Sequence, residues 1–559
     1  MGGNLNKKTL ADLGLIVGVC MLFYLIHFFP YLEHFSERLF YFSDPDDIKI
    51  TSWNTWHFVE AIKSHTNPFY TQYMFAPEGH SLLMHAYTIY FGVINFFIGN
   101  VPLSINLGIA MQLVAAGVGF FYFTRIWIRN WFACLAVSYL VVYNSYVLGK
   151  VGVHYNLVLI GLLPFILILF HQAFKDGTLV RFGKLAFLSV LMVAGLFMDY
   201  YIVFYALSYF LVYLLYFRLT PIWQRAKKYK KWITVILLLV IGHIGGKALR
   251  VSGVDEKGAV WAASDVRLLV TPTSESAFLN EYAISGLLNT QNDNKIFLGY
   301  GLLALFLVSL IIWWKNKLKD NTTSFLLFAT IMYLLVVLPV IRFAEKDLFY
   351  TITGWVHYIP FVNNVRAPDR FILMVHVFMT LFSLAVIFNN SARSWIKPSL
   401  VFLLVIVSFI NHKQQEMNSI ANTQESKLLA LCEGKNVLSL PFGIRDGYSE
   451  FGAFNEHILL LQQQHKFKDV SGYLSRVSSQ KKRRYNESRF YKSIVAMQDK
   501  EKELWSTILF LTGKKEHQID AIYLSKEYLD NTVPTLKAFL DNSDYEKHIY
   551  EDEVLYLLR

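Results

Sequence analysis

The sequence predicts an α-helical polytopic membrane protein of about eleven crossings that ends in a water-soluble α/β domain, and three observations predict it. Hydrophobic residues make up 54% of the 559 and charged residues only 17%, with a mean hydropathy of +0.37; soluble domains carry about 25% charged residues. Apolar runs rich in leucine and aromatics recur as far as about Ile410 and then give way abruptly to mixed polar sequence. The lysines and arginines gather in short clusters between those runs, as they do in cytoplasmic loops. The compositional break sets a membrane portion at 1–411 and an extracytoplasmic α/β domain at 412–559.

A helix needs about 20 apolar residues to span the hydrocarbon core. By that measure crossings fall near 12–32, 104–124, 131–148, 151–171, 184–198, 199–217, 232–249, 297–314, 323–341, 370–389 and 396–411. The first run follows Lys7 and Lys8 and lacks a small-residue cleavage site, so it reads as an uncleaved first helix. The apolar stretch from Met84 to Ile98 is short for a span and is expected to dip into the membrane without crossing.

Arg125 and Arg129, Lys175 to Lys184, Arg218 to Lys231, Lys315 to Lys319, and Arg393 and Lys397 all fall on one face, which is cytoplasmic by the positive-inside rule. The N-terminus is then inside a cell membrane and the C-terminal domain outside. The same clustering assigns the net charge of +11 to membrane topology and excludes nucleic acid as a partner. Cys20, Cys134 and Cys432 are too few and too far apart for a disulfide framework or a metal cluster. After Asn411, Val437 to Leu440, Ala521 to Leu524 and Val554 to Leu558 read as short buried strands with polar helical stretches between them. The run Lys481-Lys482-Arg483-Arg484 reads as a solvated helix face, with contact to lipid phosphates or an anionic acceptor as the alternative.

The first outer loop begins Phe42-Ser43-Asp44-Pro45-Asp46-Asp47 and continues through Trp53, Trp56 and His57 to Phe75-Ala76-Pro77-Glu78-Gly79-His80 and His85. Three carboxylates beside an aromatic cluster can supply a general base or hold a divalent cation. Asp and Pro are also ordinary turn residues, and a solvated turn would need no function.

The layout of an acidic first outer loop, many crossings and an extracytoplasmic C-terminal domain resembles the GT-C superfamily of membrane glycosyltransferases. Asp44-Pro45, Trp53-Asn54-Thr55-Trp56, Met74 to Gly79 and Leu82 to His85 are similar to a poorly characterised bacterial group within it. So are Gly152-Val153-His154-Tyr155-Asn156-Leu157, Asn364 to Phe371, Val437 to Phe442, Gln462 to His465 and Gly472 to Arg476.

The resemblance implies transfer of a sugar from a polyprenyl-phosphate donor to a glycan, lipid or protein acceptor at the outer membrane face. It implies Asp44 as base with Asp46 as second acid; the crowding of Asp47 leaves open which of the three acts. Metal use varies across the superfamily, so a magnesium or manganese ion on Asp44 and Asp46 stays open. The outer-facing cations Lys247, Arg250, Arg342, Lys346, Arg366 and Arg370 are the candidates for the lipid phosphate; interfacial snorkelling would also explain any one of them. Trp53, Trp56, His57, Glu78, His80, His85, His154 and Asp199 are the candidates for substrate contact. The alternative is a transporter or flippase of lipid-linked saccharides, which would need a helix repeat or mid-membrane acids that the sequence does not offer.

Overall fold

The computed structural model describes residues 7–42, 45–83, 85–174, 182–219, 264–271, 296–316, 320–344, 346–351, 353–354, 367–389, 396–412, 416–422, 425–447, 449–498, 507–525, 528–529 and 534–558. The chain divides into two compact units, one of Met1–Glu33 with Ile109–Met417 and one of His34–Gly108 with Asn418–Arg559.

The first unit is helical. Long, nearly charge-free runs leave the backbone one way to satisfy its hydrogen bonds in lipid, within the helix itself. Among the described residues, Leu10–His34, Val101–Thr124, Tyr200–Phe217 and Pro368–Phe388 are long and apolar enough to cross a membrane. The last is buried almost throughout, packed by the helices Trp131–Val142, Tyr300–Lys315 and Asn321–Val337.

The predicted crossing at 131–148 is a helix broken into Trp131–Val142 and Ser145–Val151, bent by 48°. Buried Asn144 sits at the break and serves both sides: its Oδ1 accepts from the Val147 N–H at 2.9 Å and its Nδ2 donates to the Val141 carbonyl at 2.7 Å. A side chain competing for the ladder is one of the few causes of a sharp helix bend. The crossing expected at 151–171 is shorter than predicted. Tyr155–Val158 forms a 3₁₀ turn, and the helix that follows, Leu163–Phe174, has 12 residues. That helix is about 18 Å long, well under the bilayer core. Pro164 stands in its first turn, where the missing N–H costs least. The crossing expected at 232–249 lies outside the described residues.

The second unit is built around a five-stranded sheet in the order Lys468–Asp469, Asn436–Ser439, Ala521–Ser525, Glu553–Leu557, Glu546–Tyr550. Its three central strands are the three read from sequence. Asn436–Ser439 runs parallel to Ala521–Ser525, with Val437 opposite Ala521, and Ala521–Ser525 runs antiparallel to Glu553–Leu557, with Tyr523 opposite Leu555. A second sheet orders Gly472–Tyr473, Gly443–Arg445 and Glu450–Gly452.

The loop after the first apolar run, which the boundary at 411 places with the membrane portion, packs as part of this second unit. Its helix Asp46–Lys63 is amphipathic, and Ile50 and Trp53 enter the same core as Leu438, Ile522, Leu524 and Tyr556. Met74, Phe75 and Leu82 join them. The strand Arg38–Tyr41 pairs antiparallel with Asn418–Ala421, so the two chain segments also share backbone hydrogen bonds. Local hydropathy could not signal this, because a fully buried Trp53 and a lipid-facing tryptophan read alike in sequence. The apolar helix after the loop, Ile89–Ile98, is too short to span, at about 15 Å, and it exposes Phe96 and Phe97.

Candidate functional site

Asp46 and Asp47 occupy the first turn of the helix Asp46–Lys63, where carboxylates complement the positive end of the helix dipole. Asp46 Oδ2 pairs with Arg445 Nη1 at 3.0 Å and its Oδ1 with Lys49 Nζ at 3.5 Å. The same Arg445 nitrogen reaches Glu456 Oε1 at 2.7 Å, and its guanidinium lies 5.1 Å from the centre of the Tyr473 ring. Sheet register fixes this stack, since Tyr473 and Arg445 are paired partners on neighbouring parallel strands.

Tyr473 in turn donates its hydroxyl to Asp47 Oδ1 at 2.6 Å. Burial, reinforced by the Asp47 carboxylate, pushes the Tyr473 phenol up, so it stays protonated and keeps donating. Burial also raises the Glu456 carboxyl, with Asp46 adding to it and Arg445 opposing it. The acidic stretch is therefore a fixed network of three carboxylates, two cations and a phenol, not a solvated turn. Asp44 lies outside the described residues.

The loop's histidines and aromatics are mostly structural. Trp53 is fully buried and donates Nε1–H to Gln462 Oε1 at 2.9 Å. His57 stacks on Trp53 at 4.7 Å between ring centres and bonds Tyr87 Oη through Nδ1 at 3.0 Å; burial pushes its pKa down to about 3. His85 Nδ1 accepts from the Ser475 backbone N–H at 2.9 Å, and its Nε2 lies 3.1 Å from Asn54 Oδ1. That pattern requires the neutral Nε2–H tautomer, and burial, outweighing the nearby Asp47, lowers the His85 pKa to about 3.

At the other end of the loop, Glu78 pairs with Lys481 Nζ at 2.7 Å and with Arg484, so the basic run is an ion-paired face. His80 accepts from the Ser478 N–H at 3.2 Å. Half-buried Trp56 lines a cavity.

A second group of charges lies in the membrane unit. Asp199 caps the helix Tyr200–Leu214, accepting from the Tyr201 N–H at 2.7 Å and from Asn156 Nδ2 at 2.5 Å. Asn156 follows half-buried His154 in the 3₁₀ turn. The Arg370 guanidinium sits 4.7 Å from the centre of the Tyr201 ring, in the turn that opens the span Pro368–Phe388. Asp199, Asp369 and Lys150 are all near enough to act on this cluster electrostatically. Arg342 is bound to Asp347 at 2.6 Å, and Lys346 is exposed on the same hairpin. Lys247, Arg250 and Arg366 lie outside the described residues.

Sequence reasoning missed Arg445, Glu456 and Tyr473 as partners of the acids, and Asp369 as a partner of Arg370, with Lys150 acting in turn on Asp369. The stretches Gln462 to His465 and Gly472 to Arg476, similar to the related group, already contained Gln462, Tyr473 and Ser475; what they lacked was any sign of what they touch. For a divalent cation, Asp46 fits poorly, because both of its oxygens already face cationic side chains. Among the described residues no group of three or more His, Cys, Asp or Glu side chains is arranged to hold a metal.

The comparisons with known proteins bear on the fold. The chain is similar to the arabinofuranosyltransferase AftD from Mycobacteria, at 12% identity and a TM-score of 0.52, over 98% of this chain and 40% of that one. It thus spans well under half of AftD's length, and the likeness is one of fold. A further similarity, at 10% identity and a TM-score of 0.42, is to the oligosaccharyltransferase AglB from Archaeoglobus fulgidus, solved with an inhibitory peptide and a dolichol-phosphate; it covers 94% of this chain and 70% of that one. No curated protein matches in sequence. The model of a domain of unknown function, DUF6311, matches residues 50–411, from the helix that carries the acids to the last apolar run, and the chain belongs to that family.

Proposed function

We propose that this chain is a membrane glycosyltransferase that moves a sugar from a polyprenyl-phosphate donor to a glycan, lipid or protein acceptor at the outer face of the membrane. The observation that carries the reading is the anchoring of the first-loop acids through Asp46–Arg445 and Asp47–Tyr473. A carboxylate serves as general base only when held within hydrogen-bond reach of the proton it removes, and this network holds the segment that follows Asp44. The resemblance of Asp44-Pro45 to the GT-C group assigns the base to Asp44, with Asp46 and Asp47 as the alternatives.

Inverting transfer would run as follows. Asp44 takes the proton of the acceptor hydroxyl as its oxygen bonds to the anomeric carbon. The bond from that carbon to the lipid phosphate breaks, and the phosphate leaves as an anion that a cation must stabilise. Arg370 suits that role, since a guanidinium offers a bidentate donor fork and stays charged when buried. The likeness in fold to AftD supports the same assignment at the level of architecture.

The test is to incubate the purified chain with a panel of polyprenyl-phosphate sugars in the presence of cell-envelope acceptors and to follow release of polyprenyl phosphate. Release from at least one donor is expected. Failure of every donor, with the protein folded, would overturn the reading.

A further inference from the structure

A cavity of about 560 Å³ opens within the second unit, where the strand pair Arg38–Tyr41 and Asn418–Ala421 meets the turn between the helix Ile89–Ile98 and the span Val101–Thr124. Its size falls within the range of small-ligand sites, about 300–1,000 Å³. Six of its lining residues decide what it can hold: Arg38, Trp56, Asn100, Asn422, Gln463 and Gln464.

The lining is amide-rich and pre-set. Buried Gln463 donates to Ser52 Oγ at 3.0 Å and accepts from Asn422 Nδ2 at 3.3 Å, so two amides are locked against the helix that carries the acids. Asn100 donates to the Ser36 carbonyl at 3.0 Å. Trp56 is held edge-on by Tyr73, with ring centres 5.0 Å apart. Arg38 Nε is buried and has no hydrogen-bond partner among the described residues. A buried donor without a partner is costly, and a ligand that brings an acceptor removes that cost.

These features select a ligand class. The amides and the guanidinium offer donors and acceptors at several points, and the indole offers a flat apolar face. An acyl chain would strand the amides without partners. A phosphate group calls for clustered cations, whereas among the lining residues Arg38 is the single cation and Glu37 stands beside it. A sugar ring, with hydroxyls around its rim and C–H groups on its faces, satisfies both halves of the wall.

We propose that this cavity is a binding subsite for a neutral saccharide. Only its role, that of holding a sugar of the acceptor, rests on the transferase reading above; binding itself does not. The test uses the purified full chain in detergent, without donor, and neutral trisaccharides of hexoses and of pentoses, with inorganic phosphate and a short-chain phosphatidylglycerol as the competing probes.

Saturation-transfer NMR and calorimetry should detect binding of at least one trisaccharide. Arg38→Ala and Gln464→Ala should each weaken it by about fivefold, the loss of one hydrogen bond, at an unchanged melting temperature. Trp56→Ala should weaken it more than Trp56→Phe, which keeps a ring. The proposal is overturned if no trisaccharide binds, if both polar variants bind as the parent does, or if phosphate or the lipid competes for the cavity instead. A chain that binds trisaccharides but releases no polyprenyl phosphate would keep the subsite and sink the transferase; the opposite pair of results would do the reverse.

Discussion

At the scale of single residues, the carboxylates of the first loop have different tasks, and substitution separates them. Asp44→Asn keeps the size of the side chain and removes its basicity, and loss of a positioned base costs about 10²–10⁴ in rate. Sugar transfer by Asp44→Asn should therefore fall by that factor while the melting temperature holds. Near-parent transfer by Asp44→Asn with loss in Asp46→Asn would hand the role of base to Asp46. Activity in all three Asp→Asn variants would remove the carboxylates from the chemistry.

The buried imidazoles supply a second residue-scale prediction, on pH. Folded His85 stays neutral down to about pH 3, because burial disfavours the charged imidazole, and His57 behaves alike. In the unfolded chain an imidazole takes its proton near pH 6.5. The unfolded state binds more protons between those values, so stability is full above about pH 6.5 and declines as the pH falls toward 3. Melting in detergent should drop between pH 7.5 and pH 5, and His85→Gln should flatten the slope. A melting temperature that rises on acidification would mean that the folded imidazoles are charged. Sequence named both histidines but could not say that they are packed and neutral, because His85 is held by Ser475 and Asn54, 390 and 31 residues away, and His57 by Tyr87, 30 residues away.

At the scale of elements, legibility followed the range of the cause. The strands Asn436–Ser439, Ala521–Ser525 and Glu553–Leu557 are short apolar runs between polar stretches, and their local pattern announces them. The break at Asn144 and the short helix after Pro164 also have local causes, yet an apolar run hides them from a hydropathy count. The packing of 34–108 against the C-terminal strands has no local signal at all. It depends on pairs such as Phe75 and Gly472. A Cβ on Gly472 would sit 2.7 Å from the Phe75 ring, which is itself fully buried. Gly472→Ala should thus destabilise the second unit by about 1–3 kcal/mol, the usual cost of overpacking. The companion change Phe75→Leu should recover part of the loss. Denaturant melts of the two single variants and the double variant measure the coupling, and simple additivity would show that the two residues do not press on each other.

At the scale of the whole molecule, the remaining question is which side of the membrane each part faces. By the positive-inside rule, the alternating cation clusters lead one to expect the N-terminus and Arg129 in the cytoplasm and residues 34–108 and 418–559 outside. A sugar donor displayed at the outer face could reach the first-loop acids only in that orientation, so topology and mechanism stand or fall together. Cysteine labelling reads it directly, and the native Cys20, Cys134 and Cys432 are all buried, so they need not be removed. Asp552 and Arg129 are both exposed and can each be replaced by cysteine. In intact cells an impermeant maleimide should modify Asp552→Cys and spare Arg129→Cys until the membrane is opened. The reverse pattern would turn the protein over, put Asp44 in the cytoplasm and require a cytoplasmic donor. Labelling of both in intact cells would mean that an even number of spans, not the nine expected, separates them, and the count would have to be redrawn from the bent pair onward.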